Sequence, residues 1–331
     1  MGVKRSQLTL RDVAREAGVG ESTVSRVLRN HGAVSAETRR RIETAVARLG
    51  YVPNRIAGLL ASEGSTLVAI IVPSLTNNVF PNVLAGANSA LDAGGFQSVV
   101  GVSEYQIDRE ESLIRAMLAW RPAGLIVTGL EHSEGAIALM QGSGVRVVEL
   151  MDLDGDGLDG VVGFSTHAVG RTSASHLIGR GYRRIGYVGH NIQRDARAGK
   201  RLAGFREALA EGGLTLVDSE LVDGMSSIEA GRDALARLLV RSPALDAVYF
   251  SNDDMALGGY FHCLGQGIAI PDRLALFGFN GLEAGRCLPQ PLSTIKTPRF
   301  LIGETGGKLV CADNGPSRVD VGFELIEGAT A

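Results

Sequence analysis

The residues that could catalyse a reaction or hold a cation are few, and their spacing suits neither task. Asp152, Asp154 and Asp156 imitate the start of a calcium-binding EF-hand loop, but the twelfth position is Gly163 rather than the required glutamate. Asp253 and Asp254 are adjacent carboxylates of the kind used in acid–base chemistry. No nucleophile, phosphate-loop or dinucleotide motif accompanies them in the sequence. We therefore expect no enzyme and no cofactor.

Histidine and cysteine spacing also argues against a metal centre. The six histidines show no H-E-x-x-H or similar ligand pattern. The cysteines Cys263, Cys287 and Cys311 are far apart and form no C-x-x-C pair, so we expect reduced packing residues. No run of 18 apolar residues is present, and the N-terminus is polar and basic. We expect a cytoplasmic protein without a membrane span.

Positive charge is concentrated at one end of the chain. Residues 1–60 contain eleven lysines and arginines against five acids, a net charge of +6, whereas the whole chain of 331 residues carries −3. The rest of the chain therefore carries −9. A basic head on an acidic body is typical of proteins that bind nucleic-acid phosphates. An ordinary solvated surface would spread the two signs more evenly.

The first 50 residues predict three short helices. Thr9 is a candidate N-cap with Asp12 three residues later, and an apolar stripe at helical spacing continues to Gly18. A tight turn leads to a second helix at 21–28, and Ser35 caps a longer third helix that ends at Gly50. Residues 51–65 predict a linker with a marginal helix that forms only with a partner.

From residue 66 onward, apolar runs alternate with helical segments. This alternation predicts an α/β core of parallel sheets, and its length favours two lobes, at about 66–164 with 297–318 and 165–294 with 319–331. The predicted strands are Leu67–Val72, Gln97–Val102, Gly124–Thr128, Val145–Leu150, Val161–Gly163, Arg184–Val188, Ala247–Ser251 and Ala275–Phe279. The predicted helices are Phe80–Ala93, Asp108–Ala119, Glu134–Gln141, Ala168–Arg180, Ala203–Glu211, Ser227–Val240 and Ala256–Leu264.

Several motifs resemble the LacI family of bacterial transcriptional regulators. The head matches from Leu8 to Arg55, and TVSRVL (23–28) followed by VS (34–35) is specific to that family. VPSLTNNVF, SNDDMALG, LFGFNG and PLSTIKTPR extend the resemblance through the body. The resemblance implies a helix-turn-helix DNA-binding domain (1–50), a hinge helix (51–65) and a two-lobed, periplasmic-binding-protein-like core (66–331) for effector binding and dimerisation. Such a homodimer binds a pseudo-palindromic operator.

The resemblance also implies which residues contact DNA. Glu21 and Ser22 fall at base-contacting positions, where glutamate can accept from cytosine N4; the alternative is that Glu21 only complements the helix dipole. Leu60 falls where the family inserts a leucine between base pairs, although it could instead pack against its own core. The full predicted set is Thr9, Glu21, Ser22, Thr23, Ser25, Arg26, Asn30, His31, Asn54, Arg55, Ala57 and Leu60.

Motif matching further implies an effector site at the carboxyl ends of the strands, between the lobes. The predicted residues are Pro73, Asn77, Val79, Phe80, Thr128, Asp152, Arg197, Arg201, Ser226, Asn252, Asp253, Asn280 and Arg299. Asn280 replaces the acid usual in the family, and Arg299 replaces an aromatic residue. These changes add positive charge, and VPSLTNNVFPNVLAG and VVELMD resemble the gluconate-operon repressor branch. A sugar acid such as gluconate, or a related phosphorylated or keto acid, is the expected effector.

Two alternatives remain open at this stage. The arginines could form lobe-to-lobe salt bridges with Glu149 or Asp253, which would leave a neutral sugar or a purine-type ligand as the effector. The same scaffold also serves solute-binding proteins and sugar-acid enzymes, against which the basic head argues. The C-terminus departs from the family, because a short Gly- and Pro-bearing segment after Lys308 puts the closing helix in question. No leucine heptads follow Phe323, so a helix-built tetramer is not expected.

Overall fold

The computed structural model describes residues 8–28, 33–51, 65–312 and 315–331, which form two compact units, Met1–Ser65 and Thr66–Ala331. Within residues 8–28 and 33–51 of the first unit lie three helices: α1 (Leu10–Ala17), α2 (Glu21–Leu28) and α3 (Ala36–Leu49). Val13, Val24 and Ile42, one from each helix, are fully buried in its core. The predicted caps are confirmed, because Ser35 accepts from the amide of Thr38 and Gly50 adopts the left-handed conformation that ends α3.

Two six-stranded sheets form the second unit. The first sheet contains β1 (Leu67–Val72), β2 (Gln97–Val102), β3 (Gly124–Thr128), β4 (Arg146–Leu150), β5 (Gly160–Gly163) and β11 (Ser317–Asp320). Its strand order is β11-β5-β4-β3-β1-β2, and every pairing is parallel. Its central strands β1, β3, β4 and β5 are buried at every residue or at all but one, which explains the continuous apolar runs in the sequence.

The second sheet contains β6 (Ile185–His190), β7 (Asp218–Val222), β8 (Ala247–Phe250), β9 (Ala275–Asn280), β10 (Ser293–Lys296) and β12 (Glu324–Ile326). Its order is β12-β10-β9-β8-β6-β7, parallel except for the antiparallel pairing of β12 with β10. The predicted mixed α/β class with parallel sheets is therefore confirmed. Strands β7, β10, β11 and β12 were not predicted from the sequence.

Helices connect the strands, and three helix pairs pack closely: α4 with α12, α7 with α8, and α9 with α10. Their bounds are α4 (Val79–Ala93), α5 (Ile107–Leu118), α6 (Glu134–Gly142), α7 (Thr166–Gly179), α8 (Ala196–Glu211), α9 (Ile228–Arg241), α10 (Asp253–Gln266), α11 (Glu283–Arg286) and α12 (Arg299–Val310). The closing helix that the sequence left in question is thus present as α12. The chain passes between the sheets after β5, after β10 and after β11.

The glycines of α12 explain how it packs on α4. A Cβ atom on Gly303 would lie 1.9 Å from the carbonyl oxygen of Val83, so only glycine allows this approach of the two helix backbones. The expectation for the cysteines is wrong in part: all three are free thiols, but Cys287 and Cys311 are exposed and only Cys263 is buried. Among the described residues, no helix is long and apolar enough to cross a membrane.

Candidate functional site

One side of α2 presents polar side chains to solvent. Glu21, Ser22 and Arg26 are exposed, whereas Val24 and Val27 on the opposite side are buried in the core of the head. Thr23 and Ser25 are half-buried between these two faces. All five residues predicted on α2 therefore lie on or beside its solvent-facing side, where a major groove could receive them.

Hydrogen bonds hold both ends of α1, and the second of these ends is the turn that precedes α2. The carboxylate of Asp12 accepts from both the amide (2.9 Å) and the hydroxyl (2.7 Å) of Thr9, and these hydrogen bonds lower the pKa of Asp12. Arg41 of α3 donates to the carbonyl oxygens of Ala17 (2.5 Å) and Gly18 (3.3 Å). Both ends of α1 are thus fixed, which sets where α2 begins.

Six predicted DNA contacts lie outside the described residues. They are Asn30 and His31 after α2, and Asn54, Arg55, Ala57 and Leu60 in the predicted linker.

In the second unit, a cavity lies where the strands of the two sheets end. Residues that follow strands of the first sheet form one wall, and residues that follow strands of the second sheet form the other. Seven of the predicted effector residues line it. They are Asn77, Val79, Phe80, Arg197, Arg201, Asn252 and Asn280. The structure therefore brings together residues that are up to 203 positions apart in the sequence.

Arg201 is the most enclosed cation of the cavity, with 6% of its surface exposed. Its Nη2 donates to the carbonyl oxygen of Ser251 (3.1 Å), and its guanidinium carbon lies 4.0 Å from the centre of the Phe279 ring. Its Nε atom is buried and has no hydrogen-bond partner among the described residues. Since a buried charged donor without a partner is costly, this nitrogen is a candidate for a ligand contact.

Close packing of α7 on α8 places Arg201 in the cavity wall. A Cβ atom on Gly170 of α7 would lie 1.9 Å from the carbonyl oxygen of Arg201, so the two helices meet at the backbone of this residue. The approach leaves little freedom for the first turns of α8. The guanidinium is consequently held in place before any ligand arrives.

Arg197 lies one turn before Arg201 and is paired with an acid. Its Nε is 3.5 Å from Oδ1 of Asp195, and its guanidinium lies 5.8 Å from the centre of the Phe80 ring. Burial raises the pKa of Asp195, but Arg197 and His190 lower it by more, so the carboxyl stays ionised. Burial likewise lowers the pKa of Arg197, and Asp195 reverses this to a net increase. Among the acids and arginines in the cavity lining, two positive charges face one negative charge.

Three asparagines supply neutral polar groups to the cavity. Oδ1 of Asn252 accepts from the amide of Met255 and so caps α10, which leaves the Nδ2 donors of Asn252 for a ligand. Nδ2 of Asn77 donates to the hydroxyl of Tyr105 (3.2 Å). Asn280 is buried, and its main-chain carbonyl oxygen accepts a hydrogen bond from Arg299. These amides can orient hydroxyl groups but carry no charge of their own.

Three residues of the cavity lining have positive φ angles that non-glycine residues rarely adopt. They are Tyr105 (φ 57°), Met151 (φ 78°) and Asn280 (φ 119°). Such conformations cost free energy, and they concentrate at binding sites, where the surrounding structure imposes them. The concentration of strained backbone here supports a ligand-binding role for the cavity.

Six predicted effector residues do not line this cavity. Pro73 and Thr128 line an adjoining open cleft, and Ser226 lines two neighbouring clefts. Asp253 is fully buried and accepts from Thr294 Oγ1 (2.7 Å) and the amide of Leu282 (2.6 Å). Arg299 donates to the carbonyl of Asn280, which makes it a support for that residue rather than part of the lining.

The lobe-to-lobe ion pair is formed by a lysine rather than an arginine. Nζ of Lys200 on α8 lies 2.6 Å from Oδ2 of Asp152, which follows β4, and 2.5 Å from Oε1 of Glu131. Asp152 is fully buried, and this burial raises its pKa despite the lysine. Within the part of the chain that the structure describes, the hydrogen bonds of Glu149 and Asp253 involve no arginine, so the salt bridges considered from the sequence are not formed there.

A second buried charge cluster lies behind the open cleft. His132 contacts Glu110 through Nδ1 (2.5 Å) and Glu149 through Nε2 (3.4 Å), and its side chain is 1% exposed. Burial lowers the pKa of His132, but hydrogen bonds and charge from the two glutamates raise it to about 9 overall. The histidine is therefore a cation at neutral pH.

The acidic groups do not form a catalytic or metal centre. Burial raises the pKa of Asp253 to about 6, yet both its oxygens accept hydrogen bonds from the protein and it does not line the cavity. Among the described residues, no group of three or more histidine, cysteine or acidic side chains is placed to hold a metal ion. The arrangement can bind and orient a small ligand.

Sequence reasoning missed seven residues of the cavity lining. They are Tyr105, Met151, Phe164, Thr166, His190, Asp195 and Phe279. Two of them, His190 and Asp195, lie on or next to the elements whose bounds were predicted wrongly. β6 extends to His190 rather than Val188, and α8 begins at Ala196, capped by Asp195, rather than at Ala203. Correct bounds would have put both residues at the carboxyl end of β6.

Comparison with known families agrees with both units. The family described as "Bacterial regulatory proteins, lacI family" matches residues 9–54. "Periplasmic binding proteins and sugar binding domain of LacI family" matches residues 65–315. The chain is 39% identical over 325 residues to "HTH-type transcriptional regulator GntR" of Pseudomonas aeruginosa, covering 96% of this chain and 94% of that protein. The protein of that name from Escherichia coli is 35% identical, with 99% and 100% covered.

Solved structures show the same likeness. A LacI-family transcriptional regulator from Silicibacter pomeroyi superposes with a TM-score of 0.93 at 45% identity, covering 98% of this chain and 99% of that one. The lac repressor dimer bound to operator and an anti-inducer superposes with a TM-score of 0.81 at 27% identity, covering 98% and 99%.

Proposed function

Because the chain belongs to the LacI family of bacterial regulatory proteins, we propose that it controls a sugar-acid operon in response to a polyhydroxy carboxylate such as gluconate. Membership of the family makes the chain a DNA-binding transcriptional regulator and not an enzyme, and such regulators bind operator DNA as dimers with small-molecule effectors. The identity of the effector, its contacts and the sense of regulation are the proposed part. We propose the cytoplasm, at the nucleoid, as the place of action.

One observation carries the choice of a carboxylate. Arg201 is buried at the cavity wall, and its Nε has no hydrogen-bond partner among the described residues. Counted over the arginines and acids of the lining, Arg197 and Arg201 leave an excess of one positive charge. A carboxylate would supply both the missing acceptor and the compensating charge, because guanidinium binds carboxylate through two parallel hydrogen bonds. A neutral sugar would leave the excess charge uncompensated.

The remaining polar groups suit a ligand that also carries hydroxyl groups. Asp195 stays ionised and can accept from hydroxyls, and the amides of Asn252 and Asn280 can donate or accept. Phe80, Phe164 and Phe279 supply apolar walls for the carbon chain. These features together favour a short polyhydroxy acid.

We assign the DNA contacts to the residues predicted from the sequence. Glu21 and Ser22 would face base edges, and Arg26 would contact a base or the backbone. Thr9 and Thr23 would contact the phosphates, and residues 51–65 would act as the hinge. The same domain boundaries, 1–50, 51–65 and 66–331, belong to this proposal. Effector binding would alter the relative position of the lobes and thereby the spacing of the two heads in the dimer.

Calorimetric titration of the full-length protein tests the choice of effector. The ligands are gluconate, 6-phosphogluconate, a 2-keto sugar acid and a neutral hexose. We expect saturable binding of at least one acid and none of the hexose. Arg201→Gln should weaken acid binding about 10- to 100-fold, the loss expected for charged hydrogen bonds. Arg206→Gln is the matched control, because Arg206 lies exposed on the same helix. Binding of the hexose alone would refute the proposal.

A further inference from the structure

An exposed ion pair joins the first two helices of the head at the end where α2 begins. Nε of Arg11 on α1 lies 3.1 Å from Oε1 of Glu21, the first residue of α2. The arginine side chain is 76% exposed and the glutamate side chain 52%. Arg11 was not among the residues predicted to contact DNA. The pair nevertheless lies beside Ser22 on the solvent-facing end of α2.

Stability does not account for this pair. Exposed ion pairs contribute roughly 0–1 kcal/mol or less, because water and salt screen them. On a surface that meets DNA, however, an isolated glutamate would be repelled by the phosphates of the duplex. The guanidinium of Arg11 removes that repulsion, since it neutralises the carboxylate on the protein side. A partner of this kind makes a base-contacting glutamate tolerable in the head.

The pair keeps unused hydrogen-bonding groups on both members. Among the described residues, Nη1 and Nη2 of Arg11 and Oε2 of Glu21 take part in no hydrogen bond. The pair thus offers donors next to an acceptor. In the major groove, guanine presents the acceptors N7 and O6, and the cytosine paired with it presents the N4 donor directly alongside. The two patterns are complementary.

From this match we propose that Arg11 and Glu21 act together on one G·C pair of each operator half-site. Arg11 donates to guanine, and Glu21 accepts from the cytosine of the same pair while it holds the arginine in place. This specificity-determining role of Arg11 rests on the operator-binding function and adds a residue outside α2 to the base contacts. An A·T pair, which places an N6 donor between two acceptors, satisfies the unit less well.

The test uses full-length protein and a pool of duplex DNA with a randomised central segment, followed by titration of single duplexes. We expect the wild-type protein to enrich sites with an invariant G·C pair in each half. Arg11→Ala should reduce discrimination at that pair about 10- to 100-fold. Glu21→Ala should also reduce discrimination at the same base pair. The double variant should lose little more discrimination than either single variant, because the two residues act as a unit.

Arg15→Ala is the matched control. Arg15 lies on the same helix, its side chain is 74% exposed, and it pairs with Asp12 rather than with α2. Its loss should weaken binding to all duplexes alike and leave the base preference unchanged. If Arg11→Ala behaves like Arg15→Ala, Arg11 is only a phosphate contact and the inference is overturned, while operator binding stands. Enrichment of no sequence by the wild-type protein would overturn operator binding itself.

Discussion

Replacement of Lys200 by methionine tests the lobe-to-lobe ion pair. The substitution keeps the length of the side chain but removes the ammonium group that lies 2.6 Å from Asp152 and 2.5 Å from Glu131. Asp152 is fully buried, whereas the Lys200 side chain is 23% exposed. The variant therefore leaves one buried carboxylate without its cation. We expect a lower free energy of unfolding of the core.

The size of the loss follows from burial. Removal of one partner from a fully buried pair costs about 3–5 kcal/mol. Because Lys200 is partly exposed and water can reach the rim of the pair, we expect about 2–4 kcal/mol at pH 8. Lys308→Met is the control, since Lys308 forms an exposed i,i+4 pair with Glu304. Its loss should cost no more than about 0.5 kcal/mol.

The cost should also depend on pH. Burial already raises the pKa of Asp152, so the folded carboxyl holds a proton more tightly than the unfolded one, and the ionised form opposes folding above the ordinary pKa. Loss of Lys200 raises this pKa further. The difference between variant and wild type should therefore grow as the pH rises from 5 to 8.

Urea unfolding followed by tryptophan fluorescence measures this effect in the core alone. The chain has one tryptophan, Trp120, which lies just after α5 and outside the head. Equal losses for Lys200→Met and Lys308→Met would refute the reasoning. A loss that does not change between pH 5 and pH 8 would do the same.

Three further predictions concern the histidine cluster, the helix contact and DNA binding. His132→Gln should destabilise the core at pH 7. In the wild type, the stabilisation that comes from the raised pKa of His132 is complete below about pH 6.5 and is lost as the pH rises through about 9. Urea unfolding at a series of pH values would show both effects. Gly170→Val should force α7 from α8, cost about 1–3 kcal/mol and weaken effector binding because Arg201 shifts; calorimetry would detect both. Operator affinity should fall about 10³-fold or more between 50 and 200 mM salt, as fluorescence anisotropy would record, if six or more phosphates are contacted.

The buried strands were predictable because their apolar residues run without interruption. All eight predicted strands are present, with ends shifted by no more than two residues. The four missed strands are short and partly exposed; three of them, β7, β11 and β12, lie at sheet edges, where one side meets solvent and the apolar signal weakens. Their polar residues resemble those of loops.

Two helices were missed or misplaced in the prediction from the sequence, because glycines and charged residues weaken their apolar pattern. The sequence of α12 contains Gly303, Gly306 and Gly307, and glycine weakens a helix that is considered alone. Gly303 and Gly307 pack against α4, and Gly306 packs against Leu150 of β4. The first turns of α8 contain Arg197, Gly199 and Lys200 and lack an apolar stripe, so the predicted start was seven residues late. In both cases tertiary packing overrides the local pattern.

The cavity was predictable in part for a related reason. Residues inside recognisable motifs, such as Asn77 and Asn252, line it as expected. Tyr105 belongs to no such motif, and Met151 lies within VVELMD but was not predicted to line the cavity. Both have positive φ angles, which periodicity does not reveal. Arg299 was expected beside Arg197 and Arg201, but it donates to the carbonyl of Asn280 instead. The orientation of a long side chain depends on neighbours that one sequence does not specify.

The central claim is that a sugar acid bound at Arg201 changes operator affinity. The most direct measurement is fluorescence anisotropy of a selected operator duplex with the full-length protein, titrated with gluconate and, separately, with a neutral hexose. Gluconate should change the dissociation constant about 5- to 150-fold, the range typical of allosteric coupling. The hexose should have no effect, and Arg201→Gln should bind the duplex but no longer respond to gluconate. A response to the hexose alone, or an unchanged response to gluconate in Arg201→Gln, would contradict the claim.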